Sequence, residues 1–92
     1  MSKKLKLQLA ARERELILQY GYPFDGIEGQ LSRHVDDTES ISVSDDVFWW
    51  EQVAGQLAIS LNEKIDPRRD AFLWDEVNEV AECVENAIAH VR

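Results

Sequence analysis

The chain has 92 residues, enough for one domain, and carries a formal net charge of −8 with one cysteine, Cys83, and two histidines, His34 and His90. A single cysteine rules out an internal disulfide, the two histidines lack structural zinc spacing, and no apolar run is long enough to cross a bilayer. A hydrophobic fraction of 45% argues against disorder, and a lone thiol with no secretion-signal stretch points to a reducing cytoplasm.

Charge is spread unevenly. Residues 1–20 hold five basic and two acidic side chains, a local +3, whereas the other 72 hold 5 basic and 16 acidic, a local −11. Such an acidic body repels nucleic acid and anionic membranes and suits a basic partner. Lys3, Lys4, Lys6, Arg12 and Arg14, interleaved with leucines and mixed with Glu13 and Glu15, match a phosphate-binding segment poorly.

Lys4-Leu5-Lys6-Leu7-Gln8-Leu9 alternates polar and apolar, the period of a strand. A strand needs a partner, and Ile41-Ser42-Val43 is the one candidate, so the start is expected to be helical, frayed or extended over residues 1–8. A helix follows from about Leu9 to Tyr20, stopped by Gly21 and Pro23. Leu9, Leu16 and Tyr20 share one side of it, with Ile17 adjacent and Ala11 and Leu18 opposite. Asp25-Gly26-Ile27-Glu28 has the spacing of a capping box, opening a short helix through Ile27, Leu31 and Val35 (or His34) that Gly26 and Gly29 weaken. Residues 36–40 read as a polar loop.

Ser44-Asp45-Asp46 offers a cap and two carboxylates to the positive end of a third helix. Val47, Trp50, Ala54, Leu57, Ala58, Leu61 and Ile65 form its apolar stripe, with Val53 at the edge. Asp66-Pro67 then reads as the start of the last helix. Its stripe runs through Trp74, Val77, Ala81, Val84, Ile88 and Val91, widened by Leu73, Val80 and Ala87, with Asp75, Glu79, Glu82 and Asn86 opposite. These elements predict an all-α fold: one domain over residues 1–92, a compact four-helix bundle with a C-terminal antiparallel helical hairpin.

No constellation for catalysis, cofactor or metal stands out, and the chain is expected not to be an enzyme. Asp75, Glu76, Glu79 and Glu82 could offer oxygens to magnesium, but no second acidic motif follows, and a solvated helix face explains them. No Glu-x-x-His pair exists, since Leu31 and Ala87 precede the histidines by three. Cys83 has no histidine one turn away, and Glu79 and Glu82 are expected to raise its pKa. Arg68-Arg69 invites a salt bridge to Asp66 or Asp70.

The most informative feature is Phe48-Trp49-Trp50. Three consecutive rings step around a helix by about 100° each, so one face cannot bury them all. Trp50 belongs to the core stripe, while Phe48 points away with Gln52, Gly55 and Ile59 behind it. Gly55 leaves room for another helix, from the N-terminal half or from another subunit. The expected function is a small, acidic, non-enzymatic protein-interaction module, self-associating as a homodimer through Phe48, Trp49, Gly55 and Ile59. The alternative is an acidic inhibitor or nucleic-acid mimic that binds a basic protein through Asp75, Glu79, Glu82 and the loop at 36–39. A third is a metal-dependent hydrolase carried by Asp75, Glu76 and Glu79.

Overall fold

Alternating leucines settle the first element. Successive residues of a helix step by about 100°, which would throw Leu7 across from Leu5 and Leu9. In a strand, every second side chain lies on one face. In the computed structural model, which describes residues 3–91, Lys4–Leu9 is strand β1. Leu5, Leu7 and Leu9 are buried and Lys4, Lys6 and Gln8 are exposed. Each leucine withdrawn from water is worth about 1.5–3 kcal/mol, which a frayed segment would forgo. The partner is β2, Ile41–Asp46, antiparallel, with Leu5 opposite Asp45, Leu7 opposite Val43 and Leu9 opposite Ile41.

The fold is therefore mixed α/β, with four helices and a two-stranded antiparallel sheet among the described residues, and not the all-α bundle that the helical periodicity suggested. The start is extended rather than helical or frayed; residues 1 and 2 lie outside the described residues. The helices are α1 (Ala11–Tyr20), α2 (Asp25–Arg33), α3 (Val47–Glu63) and α4 (Ala71–Val91). None of them is long and apolar enough to cross a membrane.

Several boundaries differ from the local signals, each for a visible reason. Leu9 is spent on the strand, so α1 begins at Ala11, where the Glu13 carboxylate accepts the Ala10 N–H at 2.7 Å. Gly21 ends α1 with its N–H on the Ile17 carbonyl. A Cβ there would stand 2.8 Å from that oxygen and 3.1 Å from Val53 Cγ1, so α1 and α3 meet over a glycine. Asp25 lies inside α2 and not at its cap; Phe24 precedes the helix and accepts the Glu28 N–H through its carbonyl. Ile27 and Leu31 enter the core, but Val35 lies beyond α2, exposed.

Ser44, Asp45 and Asp46 continue β2; Asp46 stands at the N-cap position of α3, but its side chain makes no capping hydrogen bond. The Val47 N–H donates to the Lys3 carbonyl at 2.8 Å, so the first amide of α3 extends the sheet ladder and strand becomes helix without a loop. Asp66 caps a turn and not α4: its Oδ1 accepts the Arg68 N–H at 2.9 Å, and Asp70 Oδ1 then takes the Leu73 N–H at 3.0 Å as α4 begins. The helices α3 and α4 run antiparallel. The Trp74 indole near the start of α4 donates to Leu61 O near the end of α3 at 3.1 Å, and Ala54 and Ile88 share a groove at the other end.

Trp50 sits at the centre of the core, fully buried, with its Nε1–H on the Leu5 carbonyl at 3.0 Å. That bond fixes the roll of α3 about its axis. With Trp50 inward, and Val53, Ala54, Leu57 and Ser60 buried beside it, the opposite side of α3 must face out.

Candidate functional site

The outward side of α3 carries Phe48, Gln52, Gly55, Ile59 and Asn62, all exposed. At about 100° per residue these five fall within about 80° of one another, diametrically across from Trp50 and Leu57. Phe48 is 52% and Ile59 44% accessible, large values for such side chains. No heavy atom lies within 4 Å of the place a Gly55 Cβ would occupy. The N-terminal half of the chain therefore supplies no helix over Gly55. It runs along the flank of α3 instead: the Tyr20 carbonyl accepts the Ser60 hydroxyl at 2.9 Å, Gly21 meets Val53, and the Phe24 ring meets Trp49.

Trp49 is half-buried and links this stripe to its flank. Its ring lies 5.0 Å from Phe24 and 4.8 Å from Phe48, the second contact edge-to-face, a geometry aromatic quadrupoles favour. Phe24, 55% accessible, extends the patch and was not anticipated from the sequence. The available signal was its position between Pro23 and a helix start, where a ring has no helical neighbour to pack on. Asp45 borders the patch and approaches α2 so closely that a Cβ on Gly26 would fall 2.1 Å from its carboxylate. The structure thus brings Phe48, Trp49, Gly55 and Ile59 onto one surface and adds Phe24. The stripe itself carries no charged side chain.

Asp75, Glu79 and Glu82 are exposed on α4, and Asn78 donates to Glu82 at 3.3 Å. Glu76 does not join them. The Arg12 guanidinium holds it with two bonds, Nε to Oε2 at 3.0 Å and Nη2 to Oε1 at 2.9 Å, clipping α1 to α4. Hydrogen bonding to Arg12 holds the Glu76 carboxyl below its ordinary value, and the Arg12 pKa rises in turn. Among the described residues no group of three or more His, Cys, Asp or Glu side chains is placed to hold a metal ion. The Cys83 thiol is pushed up by partial burial and then by Glu13 of α1, not by Glu79 and Glu82 as its own helix suggested. Arg69 reaches Asp66 at 4.0 Å on an exposed turn.

Arg14 is the residue that sequence patterning missed. It is 2% accessible and donates to four main-chain carbonyls: Leu9 at 2.7 Å, Glu39 at 2.9 Å, Asp37 at 2.6 Å and, more weakly, His34 at 3.4 Å. It is an internal strut holding the 34–39 loop against α1, so with Arg12 on Glu76 and the Lys3 ammonium on the Val91 carbonyl at 2.8 Å, three of the five basic groups near the N-terminus serve the fold. His34 and Asp37 close the same loop, Nδ1 to Oδ2 at 2.6 Å.

Comparison with known proteins returns no match to a family model, a curated protein or a solved structure.

Proposed function

We propose that the chain is a non-enzymatic protein-interaction module whose docking surface is the outward side of α3 with the flanking rings of Trp49 and Phe24. The observation that carries this reading is the open stripe itself: Phe48 and Ile59 exposed on either side of a bare Gly55, on a helix whose roll is pinned by Trp50. A rigid ring buries much area at little entropic cost, and a side chain missing mid-helix lets a partner backbone come close. Keeping a glycine there costs about 1 kcal/mol of helix propensity relative to alanine, and among the described residues no atom approaches within 4 Å of where its Cβ would stand.

A photo-reactive side chain placed at Ile59, and separately at Glu79 of the acidic face, tests the reading in the cells the protein comes from. Protein adducts from position 59 and none from 79 are the expected result. Adducts from 79 alone would overturn it in favour of acidic mimicry of nucleic acid towards a basic partner.

A further inference from the structure

We infer that the outer edge of β1 takes up an extended acidic segment of another protein as a third strand. The backbone of that segment pairs with Lys4, Lys6 and Gln8, and its carboxylates lie beside the ammonium groups of Lys4 and Lys6. This edge is separate from the α3 stripe and stands or falls without it.

The direction of the backbone groups follows from the ladder. In an antiparallel pair, alternate residues turn both N–H and C=O towards the partner strand, and the residues between them turn both away. Ser44 turns away from β1: its N–H donates to Gln30 Oε1 at 3.0 Å, and its carbonyl accepts Gln30 Nε2 at 2.8 Å. The mutually bonded pairs are therefore Leu5 with Asp45, Leu7 with Val43 and Leu9 with Ile41, in phase with the bond from Val47 to Lys3. Lys4, Lys6 and Gln8 turn their N–H and C=O to the far side of β1, where no group among the described residues bonds them. All three residues are exposed. The β2 edge is thus closed at Ser44 by a side-chain amide standing in for a strand, and the β1 edge is open.

Donors and acceptors at every second residue match an extended chain and not a helix, whose amides are satisfied internally. Charge then selects which extended chain. Lys4 and Lys6 lie on the exposed face of the sheet, and neither joins an ion pair among the described residues, although Asp46 is the cross-strand neighbour of Lys4. A third strand sets side chains about 5 Å from each lysine on that face, so Glu or Asp there is attracted and Lys or Arg repelled. Lysines on an edge bar edges like themselves yet admit a strand of opposite sign. A second copy does not qualify: the longest antiparallel overlap of two β1 edges sets Lys6 against Lys6, and its β2 edge is already held by Gln30.

The test uses the full-length, isotope-labelled chain and a capped heptapeptide alternating glutamate and valine. By nuclear magnetic resonance the amides of Lys4, Lys6 and Gln8 should exchange rapidly in the free chain. They should slow at least about tenfold at saturation, because a hydrogen-bonded amide exchanges only by opening. The same peptide with lysine for glutamate should bind about tenfold more weakly, two cross-strand pairs having passed from unlike to like charge. A peptide N-methylated at every residue should not bind. Lys4→Glu plus Lys6→Glu, both outside the core, should reverse the preference between the two peptides at unchanged circular dichroism. Slow exchange of the three amides in the free chain would show the edge to be covered and overturn the inference. So would a glutamate peptide that leaves them unprotected at millimolar concentration, or equal binding of the glutamate and lysine peptides to the wild type.

Discussion

Replacing Arg14 would withdraw a charged donor from four main-chain carbonyls at once, three of them in the 34–39 loop, of which His34 O keeps the Asp37 N–H at 3.0 Å. Hydrogen bonds to a charged group are individually worth about 1.5–3 kcal/mol, and partly buried acceptors left without a donor add to the loss. Arg14→Met should therefore lower stability by about 2–4 kcal/mol, measured by urea unfolding, with faster amide exchange in residues 34–39. Arg14→Lys should recover less than half, because an ammonium is a compact donor that cannot span carbonyls on two sides of a planar fork. An unchanged urea midpoint for Arg14→Met would remove the strut from the account. Nothing in the sequence announces this role. The acceptors are carbonyls, which every residue has, so Arg14 reads as one more cation in a basic segment. Phe48 and Ile59 were legible for the opposite reason, since their exposure follows from helical angle once Trp50 is assigned to the core.

At the scale of elements, the Arg12–Glu76 clip couples α1 to α4 with a pH dependence of known sign. The Glu76 pKa is lowered in the folded chain, so its contribution is present above the unfolded carboxyl value, about 4.3, and is lost as pH falls through the lowered value. Glu76→Gln should remove part of the acid sensitivity of stability below about pH 5, read as a flatter urea midpoint against pH than the wild type. Identical profiles would show that the clip adds nothing. The helices were largely legible because each stripe repeats over several turns, whereas the sheet was not. Residues 4–9 show strand alternation plainly, but a strand exists only with its partner, and β2 lies beyond two helices and a loop. The second half of β2, Ser44-Asp45-Asp46, also resembles a helix cap, a signal that the ladder bond from Val47 to Lys3 overrides. Asp66-Pro67 misled similarly, since a cap and a proline serve a tight turn as well as a helix.

For the whole molecule, net charge separates the two kinds of partner. Self-association of copies carrying −8 each through the uncharged side of α3 should tighten as salt rises from about 20 to 300 mM, because screening relieves their mutual repulsion. Binding of a basic partner through α4 should weaken over the same range. Sedimentation at a fixed protein concentration and graded sodium chloride distinguishes them, and a dimer fraction that falls with salt would contradict contact through that uncharged side.

The loopless passage from β2 into α3 adds a property of its own. Phe48 and Trp49 follow immediately on a residue whose amide belongs to the sheet, and the next ring, Trp50, is anchored to β1. The exposed rings are thus held on a preorganised joint with no hinge beneath them. A partner docking there spends little on immobilising the backbone, so the affinity of this small surface is set mainly by how well the opposing surface fits.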